Sequence, residues 1–256
     1  MPFTLAHPAA VLPLRHFRFL RAAPLIIGAV TPDLPYYVPG SLRVFDTHEF
    51  SASYTVCLAL GYLVLAAIYL LRRPLTALLS PRARWLCLHA LAPYRQQRSA
   101  WLWAAPAIVI GVWTHLLWDS FTHSDGWMVR RVAALSAPVT LGSYTGPLCH
   151  VLQYVSSVVG LAVMAVWYWR LWSPRAALAA PRAMRSAVVP ILWLVAGAAL
   201  LIGGVQATDY FHSYHNVYRS INILLTHSLA WFAALYLVAG VVVTLGHSQR
   251  GFPGRT

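Results

Sequence analysis

The sequence predicts an all-α fold, a polytopic bundle of membrane-spanning helices, and three observations carry that reading. Hydrophobic residues fill 59% of the 256 positions and charged residues only 10%, where a soluble domain has roughly a quarter charged. The apolar residues gather into long runs. All 19 basic residues are arginine, and they cluster between those runs, as the positive-inside rule arranges them.

Five runs are long and apolar enough to span a bilayer, at 54–71, 101–119, 151–169, 187–205 and 223–245. The first 53 residues are too broken for a full span. Pro8 suits the first turn of a helix, with His7 extended just before it. A helix over about 8–20 and an apolar piece over 22–31 make two arms of about 15–20 Å each. Two arrangements are open. One is a short hairpin dipping into the bundle, its tip near Arg21, which returns Asp33 close to His7. The other is a helix lying in the membrane interface. With no internal repeat, low-complexity tract or linker, residues 1–256 read as a single integral membrane domain.

The arginines alternate between connections. The 72–100 connection holds Arg72, Arg73, Arg82, Arg84, Arg95 and Arg98; the 170–186 connection holds Arg170, Arg175, Arg182 and Arg185; the tail holds Arg250 and Arg255. By contrast, 120–150 has only Arg130 and Arg131, and 206–222 only Arg219. This bias puts the arginine-rich loops and the C-terminus in the cytoplasm, and the sequences around His48, His123 and His212 on the opposite face.

Composition also excludes classes. The net charge of +13 comes with no aromatic–basic platform or recognisable nucleic-acid module, so the expected partners are membrane lipids and not nucleic acid. Cys57, Cys87 and Cys149 lie in separate segments with no CxxC spacing, which argues against a disulfide framework or a thiolate metal site. The N-terminus lacks the order of a signal peptide, so the chain is expected to insert through its own helices. No P-loop, nucleophile elbow, HExxH or EF-hand pattern is present.

The six acidic residues are Asp33, Asp46, Glu49, Asp119, Asp125 and Asp209. Each lies near a helix end or loop expected on the non-cytoplasmic side, and five have a histidine within four residues, Asp33 being the exception. Ordinary solubilising acids would be shared with the arginine-rich loops; none is found there.

In "GVWTHLLWDSFTHSDGW" (111–127), His115 and Asp119 are four apart and share a helix face. His123 falls about 80° around from His115 if the helix continues. Gly111, one turn earlier, takes bulk off that face and lets another backbone approach. Two readings compete: a hydrogen-bonded pair that stabilises packing, or ligands of a metal ion that compensates polar groups near lipid. Convergence of His7, Asp33 and His48 on the pair would favour the metal.

Around "DTHEF" (46–50), His48 is a ligand candidate. Glu49 reads as general base, ligand or simple first-turn acid, and Asp46 as an N-cap. In "TDYFHSYHN" (208–216), Asp209, His212 and His215 either complete a site or form part of an interfacial aromatic belt, as the 11 tryptophans do. His150 and His227 default to packing or capping.

"MPFTLAHPAAVLPL", "GAVTPDLPYY" and the 111–127 segment together resemble an uncharacterised family of bacterial integral membrane proteins that open with an MPFT-x-AHPA stretch. More distantly, the motif order is similar to that of the membrane-bound metal-dependent hydrolases of bacterial inner membranes. That resemblance implies His7, Asp33, His48, His115 and Asp119 as metal ligands; His123, near His115 by helix geometry, would be a ligand or a support for one. The chain departs from the distant family in showing PDLPYY and HEFSAS where that family has PD-x-DH and HRG-x-THS forms.

The expectation is therefore a multi-pass inner-membrane protein with a metal pocket at the non-cytoplasmic helix ends. Nitrogen and oxygen ligands without sulfur suit Zn²⁺ first, then Mn²⁺ or Fe²⁺. An open coordination position would acidify water for attack on a lipid or lipid-linked substrate, with Asp125 or Glu49 managing the proton. The rival is a non-enzymatic transporter or scaffold with a structural His/Asp cluster. The arginine-side halves of 54–71, 151–169 and 187–205 carry few polar residues, which argues against a permeation path.

Overall fold

The computed structural model describes residues 3–17, 19–37, 46–142, 144–171 and 185–249. Its helices are α1 (Pro8–Val11), α2 (Ala22–Val30), α3 (Val56–Leu70), α4 (Arg72–Ala77), α5 (Pro81–Gln96), α6 (Arg98–Thr122), α7 (Ala133–Ser136), α8 (Leu148–Leu171), α9 (Arg185–Tyr214) and α10 (Val217–Gln249). Short 3-10 turns flank α1, follow α2 and precede α3. Strands β1 (Pro138–Leu141) and β2 (Tyr144–Pro147) form an antiparallel hairpin in register Leu141↔Tyr144. The sequence reading gave no strands; Gly142, at φ +61°, supplies the left-handed turn residue that lets the chain reverse.

Among the described residues, four helices are long and apolar enough to cross a membrane: α6, α8 and most of α9 and α10. The fifth expected span, 54–71, is the 15-residue α3. At 1.5 Å per residue it covers about 22 Å, against about 30 Å of bilayer hydrocarbon. Leu71 leaves helical geometry at φ −89°, ψ 13°, and Pro74 sits in the first turn of α4, where its missing N–H costs nothing. The 72–100 connection is also more ordered than a loop. Ser80 accepts the Ala83 N–H at 3.3 Å and Pro81 opens α5, an N-cap followed by an N1 proline.

The chain divides into two compact units: Met1–Leu34, Val44–Ala66 and Pro93–Trp172 in the first, Pro35–Arg43, Ala67–Ala92 and Ser173–Thr256 in the second. In the first, α6 buries Ala100, Ala104, Ala107, Gly111, His115 and Asp119 along one face, a three-and-four spacing. Small residues along most of that stripe let α2 approach closely. A Cβ on Gly111 would collide with the Leu25 carbonyl and the Gly28 backbone, and one on Gly28 with the Ile108 carbonyl. The backbone that Gly111 was expected to admit is thus that of α2. Val11, Leu25, Ala29 and Ala107 form the buried core at this junction.

The N-terminal arm differs in detail from expectation. α1 ends at Val11 and a 3-10 turn, Pro13–His16, replaces the rest of the predicted 8–20 helix, because Pro13 can donate no backbone hydrogen bond. His7 is helical (φ −55°, ψ −37°) and not extended. The 3-10 turn Thr4–Ala6 runs directly into α1, and His7 N–H bonds to the Thr4 carbonyl at 3.3 Å, which outweighs the usual bias of a residue before proline. The arm docks on α8: Phe3 N–H donates to Ser157 Oγ at 3.0 Å, and Gly160 leaves room for Ala6.

In the second unit α9 packs on α10, and α10 on α4. His227 Nδ1 pairs with Gln206 Oε1 at 2.8 Å, an interhelical bond that keeps two polar groups satisfied inside apolar helices. Tyr236 donates to the Leu75 carbonyl at 2.9 Å. Arg175, Arg182, Arg250 and Arg255, which helped set the expected topology, lie outside the described residues.

Candidate metal centre

α6 supplies two groups of the centre. His115 and Asp119, one turn apart, place His115 Nε2 at 3.2 Å from Asp119 Oδ2. The close approach of α2 fixes the ring: His115 Nδ1 lies 2.8 Å from the Ala29 carbonyl. A carbonyl only accepts, so the proton sits on Nδ1 and Nε2 presents a lone pair to the cluster, the tautomer a metal-binding imidazole needs.

The segment after α2 supplies Asp33. Thr31 Oγ1 donates to the Ile27 carbonyl at 2.6 Å, and Pro32 and Pro35 keep the following turn from continuing as α-helix. Thr4 Oγ1 donates to Asp33 Oδ2 at 2.6 Å, leaving Oδ1 directed at the histidines. His48 arrives on a turn that Asp46 organises, accepting the His48 N–H at 3.0 Å. Asp46 thus caps this turn instead of the helix expected of it. Thr47 ties the same turn to the Asp33 segment through the Pro32 carbonyl at 2.7 Å. His7 lies with its ring stacked on His115 at 3.8 Å between centroids, its edge toward Trp118 at 5.4 Å.

The five groups converge. His7 Nε2 is 3.5 Å from Asp119 Oδ1, His48 Nε2 is 3.5 Å from Asp33 Oδ1 and 3.6 Å from Asp119 Oδ2, and His115 Nε2 is 3.7 Å from Asp33 Oδ1. Ligand atoms of His7, Asp33 and His115, and of His48, His115 and Asp119, fall within 4.8 Å of one another. His7, Asp33, His115 and Asp119 are at most 7% exposed. Yet both ring nitrogens of His7, Asp33 Oδ1, His115 Nε2 and Asp119 Oδ1 have no hydrogen-bond partner. Burying so many polar atoms unpaired is costly. Bonds of about 2.0–2.2 Å to a tetrahedral ion put ligand atoms about 3.3–3.6 Å apart, and the separations here are of that size. The donor set and its spacing fit a divalent metal.

Burial, with the His115 imidazole beside it, pushes His7 down from 6.5 to about 3, so the ring is neutral at neutral pH. Burial raises Asp33, but the nearby His48 and His115 imidazoles and the Thr4 hydrogen bond outweigh it and hold the carboxyl below its ordinary range. A neutral imidazole and an ionised carboxylate are the ligating forms. The sign of the pH dependence follows. Above pH 6.5 His7 is neutral both folded and unfolded, and its contribution to stability is complete. As pH falls below 6.5 the unfolded chain takes up the proton first, and stability is lost until about pH 3; Asp33 adds loss in the same direction. Chelator-treated protein should show an unfolding midpoint that declines steadily across that window, and His7→Leu should flatten the decline.

His123 follows α6 as its C-cap. Its N–H donates to the Asp119 carbonyl at 3.0 Å, and its Nδ1 is 3.6 Å from Asp119 Oδ1, beside the cluster. The two other proton-handling candidates are not brought into it. Glu49 is exposed and accepts from Ser51 Oγ at 3.2 Å. Asp125 is exposed on the loop after α6, its backbone carbonyl bonded by Arg130. Asp209 and His212 lie on the exposed end of α9, and His215 at φ +51° ends that helix, with its ring 5.8 Å from Phe211.

Sequence reasoning missed Thr4, Thr47 and the Ala29 carbonyl, which position ligands without resembling any motif. Thr4 was visible only as part of the quoted opening stretch. A backbone carbonyl leaves no trace in side-chain chemistry at all.

Comparison with curated proteins and with solved structures finds no match. The chain matches, over residues 1–245, a family described only as a domain of unknown function, DUF4184, and it belongs to that family.

Proposed function

We propose that this protein is a membrane-bound metal-dependent hydrolase, with His7, Asp33, His48, His115 and Asp119 as the residues that would hold the ion. One observation carries the reading: buried donor atoms from three stretches of chain (His7, Asp33, and His115 with Asp119), without hydrogen-bond partners, stand at spacings suited to the edges of a coordination shell. The motif order, which resembles that of bacterial membrane-bound metal-dependent hydrolases, supports this ligand set. Three imidazoles and two carboxylates suit zinc best, with manganese or iron next. When bound, the ion supplies Lewis acidity and a water acidic enough to attack near neutral pH.

The chain's own groups complete the chemistry. His48 is the partly exposed ligand, its side chain 28% accessible, so solvent and substrate enter past it. His123 stands next to Asp119 and would orient it. Glu49 or Asp125, both exposed and outside the cluster, would have to move toward it to deliver a proton to the leaving group as water adds across an ester, amide or phosphoester bond. The arginine distribution supports a bacterial inner-membrane protein with the centre on the non-cytoplasmic face, and a centre at the end of a membrane span suits a lipid or lipid-linked substrate.

Elemental analysis of protein purified mildly in detergent and repleted with zinc tests the reading. About one equivalent is expected, and less than about 0.2 would overturn it in favour of a structural polar cluster. Turnover of vesicle-borne ester, amide or phosphoester amphiphiles should stop with chelator. Glu49→Ala should keep the metal and lose turnover if Glu49 is the base. Metal without turnover on any of the three bond types would leave the ion and remove the hydrolase.

A further inference from the structure

A second feature adjoins the centre. Between α6 and α8, Trp118, Phe121, Leu152, Val155, Ser156 and Val159 line most of a groove of about 390 Å³. Its one indole donor is already satisfied, Trp118 Nε1–H bonding Ser156 Oγ at 3.0 Å. What remains is an apolar trough on two helices that are each long enough to cross a membrane.

We propose that this groove seats a single hydrocarbon chain of the substrate and so presents its head group to the metal centre. The inference rests on the cluster being the reacting centre. Three observations point to that occupant. The groove runs along spans surrounded by acyl chains, where an apolar trough is filled by hydrocarbon and not by water. Trp118 forms its wall and also meets His7 of the cluster at 5.4 Å. Trp118 and Asp119 are consecutive on α6, so groove and centre stand at one level of the helix, about 100° apart. A head group joined to a chain in the groove has only the width of the indole to cross. The size lies near the lower end of ligand pockets, about 300–1,000 Å³, which suits one chain and not a pair.

The experiment uses the full chain in phosphatidylethanolamine–phosphatidylglycerol vesicles, with a trace of lysophospholipid carrying a diazirine on its chain. After photolysis, label is mapped to residues. Label at Leu152, Val155 and Val159 should saturate and be competed by unlabelled lysophospholipid, while label at Val158 and Leu161, which lie on α8 outside the groove, should be neither saturable nor competed. Val155→Trp, which fills the trough, should cut groove labelling by about tenfold, the worth of roughly two buried methylenes, and leave metal content and Val158 labelling unchanged. If Val155→Trp fails to fold, Val159→Phe tests the same point. Groove label that is unsaturable, or indifferent to the filling substitution, identifies ordinary boundary lipid and overturns the proposal. Metal content measured on the same preparation separates the two ideas. Saturable label without metal sinks the hydrolase reading, and metal with unsaturable label sinks the groove alone.

Discussion

Asp119→Ala is expected to strip the purified protein of metal, from about one equivalent to below about 0.1, with Asp119→Asn nearly as severe. Asp119 is the carboxylate that touches most of the site: His7, His48, His115 and His123 all have a ring nitrogen within 3.6 Å of it. Removing it deletes a proposed ligand and leaves three imidazoles facing one remaining carboxylate, Asp33. The asparagine variant keeps the shape and a hydrogen-bonding oxygen but removes the charge, so it separates coordination from packing. If the cluster were only a packing device, asparagine would preserve folding and the wild-type protein would carry no metal to lose. Elemental analysis of the three proteins side by side distinguishes the cases, and full metal occupancy in Asp119→Ala would remove that residue from the ligand set.

Gly28→Val should be the most damaging substitution outside the cluster. Its side chain would be driven into the Ile108 carbonyl, and backbone cannot rotate away as a side chain can. Overpacking costs about 1–3 kcal/mol, occasionally more, and this case belongs at the upper end. The effect should also reach the site. Pushing α2 off α6 withdraws the Ala29 carbonyl from His115 Nδ1, and losing such an outer partner weakens metal affinity by about 10–100-fold. Gly197→Ala is the control, because nothing lies within 4 Å of the added carbon; it should be neutral or stabilise α9 by about 0.5–1 kcal/mol. Unfolding midpoints and metal titrations of both variants check this. A Gly28→Val protein with wild-type values for both would refute the account of how α2 seats.

Much of the architecture could be read from the chain because membrane helices declare themselves by composition. The runs at 101–119, 151–169, 187–205 and 223–245 all fall inside long helices. The run at 54–71 was just as apolar, but apolarity does not report where a helix stops; Leu71 and Pro74 do that. The candidate site was legible through segregation: six acids kept out of the arginine-rich connections, and a His and an Asp at helical spacing. Gly111 pointed correctly to a close backbone neighbour. What the chain concealed was whatever depends on fold rather than residue type. Glu49 and Asp125 look as reactive in sequence as Asp119, and only the turn geometry shows them exposed. The β1–β2 hairpin was hidden in a connection with no alternating apolar pattern to betray it.

The groups at the centre come from residues 7, 33 and 48 on one side and 115 and 119 on the other. During synthesis the amino-terminal third therefore leaves the ribosome with its imidazoles and Asp33 carboxylate lacking their counterparts. The cluster is complete only once α6, which bears the last two, has been made. If the cluster holds an ion as proposed, starving cells of it is expected to leave the amino-terminal arm sensitive to limited proteolysis.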